Sequence, residues 1–254
     1  MKSTKQFLDK LLPYGRIATK KCLLSQGMGR HSIDNALKSK KLKSLATGVY
    51  ARVGAPISWW DVVNSLQKIS EQSIHVGGLT AIELQGFAHY LTNSTTKIVH
   101  LYSKDKPPAW LWKVDCGVTF KWHGTKLLWS NEASNNLKSF TLGIDVPVSI
   151  ANPESAILEL LISVPKTVSF DHANEIMQGM TSLSPKKLNV LLAQCKSIKV
   201  KRLFLWLAEN QNYAWFNKLE VKNLDLGSGK RVIAKDGKLD KKYQITVPKH
   251  LYGK

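Results

Sequence analysis

Residues 29 to 52 read GRHSIDNALKSKKLKSLATGVYAR, and few folds accommodate that pattern. Ile33, Ala36 and Leu37 recur at helical spacing. Beyond Lys40 the period changes to two short runs, LKSLA and VYARV, around Thr47-Gly48, which predicts a hairpin. Upstream, Ser3 or Thr4 caps a first helix with Phe7, Leu8, Leu11 and Leu12 on one side, and Pro13, Tyr14 and Gly15 end it. Thr19 caps a short second helix to about Ser25, which Gly27 closes, and a third helix runs from about Arg30 to Lys40. Three helices and a hairpin within residues 1–54 is the order of a winged helix-turn-helix.

On a wheel of 3.6 residues per turn, Ile33, Ala36 and Leu37 share the face that must pack on the first two helices. His31, Asn35 and Lys38 project from the opposite side, with Ser32 and Ser39 flanking. Such side chains suit a major groove, because Asn pairs with adenine while Ser, His and Lys reach phosphates or base edges. Arg30 sits in the first turn, where its charge opposes the positive helix end unless an anion is bound. Lys40, Lys41 and Lys43 lie at the helix exit and on the wing, and Arg52 on the return strand, all expected to hold backbone phosphates.

Charge follows the same division. The chain carries 37 Lys+Arg against 18 Asp+Glu, net +19. Residues 1–54 hold 12 basic and 2 acidic residues, residues 185–254 hold 16 and 5, and the stretch between holds 9 and 11. Two basic ends around a near-neutral middle predict two polyanion-facing surfaces. Lys186, Lys187, Lys199, Lys201, Arg202, Lys230 and Arg231 are candidates for the second one. Several of them crowd the start of the VKRLFLWLAE helix, which implies an anionic neighbour: DNA, RNA or an acidic face of the same fold.

After Gly54-Ala55-Pro56 the pattern is mixed. Ser58 caps a helix; HVGGLTAIELQGF predicts a strand end, a Gly-Gly turn and a helix capped by Thr80; KIVHLY, GVTFKW and KLLW are strand-like. Asn152-Pro153 and Ser184-Pro185 start helices by the same cap-then-proline logic. VKNLDLG, RVIA and YQITVP predict strands near the end. The fold class is α+β, with domains expected at 1–54 and 55–254.

Other chemistry is set aside on spacing. LGSGKR has Leu224 and Arg231 where a phosphate loop needs Gly and Ser or Thr. Gly27-Met28-Gly29 lacks the third glycine of a dinucleotide fingerprint, with Ser32 in its place. The histidines show no metal-ligand spacing, and Cys22, Cys116 and Cys195 form no C-x-x-C pair. Glu154 and Glu159 fall about 140° apart around a helix, too far to share a cation. No catalytic residue, metal or cofactor is expected. The N-terminus carries Asp9 within an amphipathic stretch, unlike a secretion signal, and no apolar run is long enough for a membrane span, so a cytoplasmic protein is expected.

The sequence resembles the AbiEi family, the antitoxins and autoregulators of type IV abortive-infection toxin–antitoxin pairs. Members begin the third helix with Gly-x-Ser-Arg, leave it through Gly-Lys-Leu and carry Gly-x-Tyr on the wing. The corresponding residues are Gly27-Met28-Gly29-Arg30, Lys40-Lys41-Leu42 and Gly48-Val49-Tyr50. Gly29 thus stands for the usual Ser cap and Lys40 for the usual Gly terminator. GGLTAIELQGFAHYL, VHLYS, PESAILELL, KVKRLFLWLAE and LDLGSGKRVIAKDGKLDKKYQITVP resemble later family blocks in order, over nearly the whole chain.

The resemblance implies a repressor of its own operon that binds operator DNA, with inverted repeats and a homodimer on DNA as natural companions. It also implies that residues 55–254 counteract a nucleotidyltransferase-like AbiEii-type toxin, by direct contact or without it. The rival function class is a winged-helix adaptor that binds a protein partner and no specific DNA.

Overall fold

Short polar side chains set most helix starts. In the computed structural model, which describes residues 4–70, 73–87, 97–129, 136–143 and 146–253, Thr19, Ser58, Asn152, Ser169, Ser184 and Ser197 each accept a backbone N–H from the first turn of the helix they precede. Ser58 adds the reciprocal bond, its own N–H donating to Asp61, so this start is a full capping box. The fold is α+β, and the chain forms two compact units.

The first unit comprises Met1–His75, Ser94–His123 and Ser139–Ser149. It opens with α1 (Thr4–Leu11), β1 (Ile17–Thr19), α2 (Lys20–Ser25), α3 (Arg30–Lys38), β2 (Leu42–Ala46) and β3 (Val49–Arg52). The strands form an antiparallel sheet in the order β1-β3-β2. Leu8, Leu12, Leu23, Met28, Ile33 and Ala36 fill the core beneath the helices. α4 (Trp59–Ile69) contacts β1, and the Ser65 hydroxyl accepts the Ile17 N–H at 3.0 Å. The expected join near residue 54 therefore lies inside this unit. Trp60, Asn64 and Gln67, one row along α4, donate to the carbonyls of Val146, Pro147 and Ser149. β4 (Ile74–Val76), β5 (Lys97–Ser103) and β6 (Val118–Gly124) follow, with a 3₁₀ turn at Ala109–Lys113 between the last two.

The second unit comprises Val76–Asn93, Gly124–Lys138 and Ile150–Lys254. It contains α5 (Gly78–Leu84) and the start of β7 (Leu137–Phe140). Val76 pairs in parallel with Ile150 of β8 (Val148–Ala151). α6 (Pro153–Leu161) is buried at every residue after its first, Glu154, Ser155 and Glu159 included, as befits a central helix. Around it pack α5, α7 (Phe170–Gly179), α8 (Pro185–Gln194) and α9 (Ile198–Asn210). A small sheet, in the order β10-β11-β9, joins β9 (Arg231–Val232), β10 (Lys238–Asp240) and β11 (Ile245–Val247).

Several expectations change. Thr80 lies buried inside α5 and does not cap it; Gly77 is the cap residue, and the free N–H of Gly78 donates to Glu159 Oε2 at 3.0 Å. A buried carboxylate supplies what a capping side chain would. KLLW is a turn whose Trp129 makes only an isolated bridge to Cys195. VKNLDLG starts as a 3₁₀ turn, Val221–Asn223. β1, β7, β8, β10 and α7 carry too little period-2 or helical contrast to stand out in the sequence. Thr4 begins α1. Ser3, the Phe7 side chain and residues 88–91 of the Gly-Gly segment lie outside the described residues.

Strands β4, β5 and β6 align a column of rings. His75 stacks on Tyr102 (centroids 5.7 Å apart), Tyr102 on His123 (4.5 Å) and His123 on His100 (5.1 Å). His100 Nδ1 and His123 Nε2 are 2.9 Å apart, a bond that needs one nitrogen protonated and the other bare. Burial first, then His123 and Lys121, lower the His100 pKa to about 4. The unfolded chain therefore binds this proton more readily, so stability is complete above pH 6.5 and falls as pH drops toward 4. The loss is expected to be on the order of 3 kcal/mol. Denaturant midpoints between pH 7 and pH 4 should show this slope in the parent and a flatter one in His100→Gln.

Candidate nucleic-acid interface

α3 is held by its inner side and free on its outer one. Ile33 and Ala36 are buried and Leu37 is half-buried against the same core. Arg30, His31, Ser32, Asn35 and Lys38 are all exposed. Gly29 is the cap residue and makes no side-chain bond, so the first N–H groups of the helix stay open beside Arg30.

The helix ends at Lys38, two residues before the expected Lys40. Lys40 takes a left-handed conformation (φ +53°), its N–H donating to Leu37 O, while the Lys41 N–H donates to Ala36 O. These two bonds form a Schellman ending with Lys40 where glycine is favoured. Lys40 and Lys41 are exposed; Lys43 is half-buried, with Nζ 3.4 Å from Ala55 O.

Arg52 needs correction. It is 4% exposed, Nη1 lies 2.6 Å from Asp9 Oδ1, Nη2 donates to the Tyr14 hydroxyl at 3.1 Å, and the guanidinium sits 4.3 Å from the Tyr14 ring centroid. It ties β3 to α1 and to the turn that follows, and does not reach out to a phosphate. Asp9 and Tyr14 were missed as its partners; no local spacing connects residues so far apart in sequence.

The second basic surface needs a larger correction. Lys186, Lys187, Lys230 and Arg231 are exposed. Lys201 is 4% exposed and Arg202 2%. Arg202 donates to the carbonyls of Leu226 (2.6 Å), Gly227 (2.9 Å), Gly229 (2.7 Å) and Gln244 (3.1 Å). Lys199 is half-buried and donates to Ile162 O at 2.8 Å and to Val164 O; burial, then Lys166, hold its pKa below the usual lysine range. The anionic neighbour expected for this helix start is a set of backbone carbonyls.

The LGSGKR loop thus turns carbonyls inward around a cation, the reverse of a phosphate loop, whose N–H groups surround an anion. Glu154 Oε1 accepts the Ser184 N–H at 2.8 Å, and Glu159 bonds Gly78 and Ser155, so both carboxylates join helices. Burial pushes the Cys195 thiol up to about 11, away from thiolate chemistry. Among the described residues, no three His, Cys, Asp or Glu group as metal ligands, and no helix is long and apolar enough to cross a membrane.

The first unit thus presents a basic helix followed by a hairpin within an α+β architecture, and the family comparison supplies the class, a transcriptional regulator. A family model described as "Transcriptional regulator, AbiEi antitoxin, Type IV TA system" matches residues 96–248, and one described as "Transcriptional regulator, AbiEi antitoxin N-terminal domain" matches residues 1–93. The chain belongs to the AbiEi family of type IV toxin–antitoxin systems. Among solved structures, the crystal structure of the RV2827C protein from Mycobacterium tuberculosis aligns with a TM-score of 0.52 at 13% identity, over 91% of this chain and 85% of that one. At that identity it speaks for the fold alone. No curated protein matches the chain.

The two buried arginines should behave as structural residues. Arg202→Ala frees four carbonyls and is expected to cost about 3–5 kcal/mol, and Arg52→Ala about 2–3 kcal/mol, both read from denaturant unfolding. Arg202→Lys should recover less than half of the loss, because one ammonium cannot reach the four carbonyls.

Proposed function

We propose that residues 1–54 are a winged helix-turn-helix that binds operator DNA and represses the chain's own operon. Residues 55–254 act as the antitoxin part, counteracting a nucleotidyltransferase-like AbiEii-type toxin. The observation that carries this reading is the outer face of α3: Arg30, His31, Ser32, Asn35 and Lys38 are exposed together, with Asp34 the single acid among them, over a buried apolar face. α3 enters the major groove with Asn35 and His31 toward base edges, while Lys40, Lys41 and the wing hold adjacent backbone. An inverted-repeat operator bound by two copies fits this mode. The protein works in the cytoplasm without catalysing a reaction.

Lys40 adds support. A non-glycine residue in the left-handed region costs roughly 1 kcal/mol, and here it places a cation at the exit of the helix toward the wing. Of the four described non-glycine residues with positive φ, Lys40, Asn212, Asp236 and Gln244, Lys40 is the one at the exit of α3.

Operator affinity should fall about 10³-fold or more between 50 and 200 mM salt if six or more phosphates are contacted. Asn35→Ala should relax sequence preference, while Lys41→Ala should weaken all DNA alike, as titrated with operator and scrambled duplexes. Flat salt dependence, or equal affinity for both duplexes, would sink the repressor reading. A stable complex with a protein partner and no DNA shift would favour the adaptor. Lys40→Gly should raise the unfolding free energy by about 1 kcal/mol yet weaken DNA binding.

A further inference from the structure

A cavity of about 330 Å³ lies wholly within the first unit. Leu66 and Ile69 of α4, Ser70 at its end, Ile74 of β4 and Pro108 make its floor, and the half-buried indole of Trp110 forms one wall. Two lysines border it: Lys21 of α2 and Lys106 of the segment before the 3₁₀ turn, both exposed. Among the described residues, no carboxylate lines it, and neither lysine has an ion pair or hydrogen bond.

Two ammonium groups bordering one cavity gain from a shared anion. The aliphatic part of the floor and the indole favour a flat apolar body, since aromatic rings gain from stacking as well as from burial. The volume sits at the small end of the roughly 300–1,000 Å³ typical of ligand pockets, which suits one or two fused rings. A DNA backbone phosphate would satisfy the lysines but leave the floor empty.

The geometry points to a binding site for a small aromatic anion, one ring system bearing a carboxylate or a phosphate. The ring lies against Trp110 over Leu66, Ile69 and Ile74, and the anionic group lies between Lys21 and Lys106. Such a ligand would join α2, the helix before α3, to α4 and to the 3₁₀ turn, which contacts the wing strand β2. The site stands whether or not the first unit binds DNA.

Calorimetric titration of the full chain with indole-3-acetate and with AMP tests the site and separates its carboxylate and phosphate forms. At least one is expected to bind one-to-one with a Kd below about 1 mM. Its neutral counterpart, indole-3-acetamide or adenosine, should bind at least about tenfold more weakly. Lys21→Gln and Lys106→Gln, both at exposed positions, should each weaken the anion about fivefold or more, while Lys186→Gln should leave it unchanged. No binding of either anion below that limit overturns the site. So does equal affinity for the neutral counterpart. Binding that persists in the Lys21→Gln/Lys106→Gln double variant is adventitious attraction to a basic protein and overturns it as well.

Discussion

A guanidinium removed from water must have its N–H groups satisfied, and the second unit is arranged around doing so for Arg202. The residue sits in the first turns of α9, where a positive charge opposes the helix dipole. Four carbonyls, three of them from the loop at Leu226–Gly229 and one from Gln244, close around it. Gly227 and Gly229 take positive φ, which lets the loop turn its oxygens toward one point. A Cβ on Gly227 would also meet Ile198 at 3.2 Å. The loop and the return to β11 are thereby fixed to α9, and the three short strands beyond it have a foundation that their own length would not provide.

Arg52 does the same work on a smaller scale in the first unit. It is held between Asp9 of α1 and Tyr14, so the last residue of β3 is locked to the first helix. Asp9 is still half exposed, which lowers the cost of placing the pair there. With β3 fixed at its end, the exposed Lys40 and Lys41 remain the cations of the helix exit that can face a partner. The charge segregation of the chain survives this correction in the first unit better than in the last segment, where Lys199, Lys201 and Arg202 are engaged or buried.

What was legible in the sequence depended on range. Caps act within three residues, and Thr19, Ser58, Asn152 and Ser184 stood out because each precedes an apolar-periodic run. The face of α3 was legible for the same reason: Ile33 and Ala36 define it from within one helix. The strand β1 was not, since three residues between a turn and a helix show no alternation, and its identity comes from pairing with β3 some thirty residues on. Thr80 misled because a residue capable of capping is only one solution; Glu159, 81 residues beyond Gly78, satisfies the α5 start instead. Arg52 and Arg202 misled most, since a buried arginine and a DNA-contacting arginine look alike until the acceptors around them are known.

The end of α3 shows why one residue there matters beyond its charge. The Schellman bonds from Lys40 to Leu37 and from Lys41 to Ala36 set where the chain leaves the helix, and Leu42 is buried immediately afterwards. A helix ending one residue later would rotate the exit by about 100° and lift Leu42 out of the core. The register between β2 and β3, which already shifts between Ser44 and Ala46, leaves little room to absorb that. The angle between helix and wing is therefore fixed by backbone bonds and one buried leucine, whatever the side chain at position 40. A lysine in place of glycine there leaves the geometry intact, raises its energetic cost slightly and adds a positive charge at the junction of the two elements. That combination makes sense if the charge is used there.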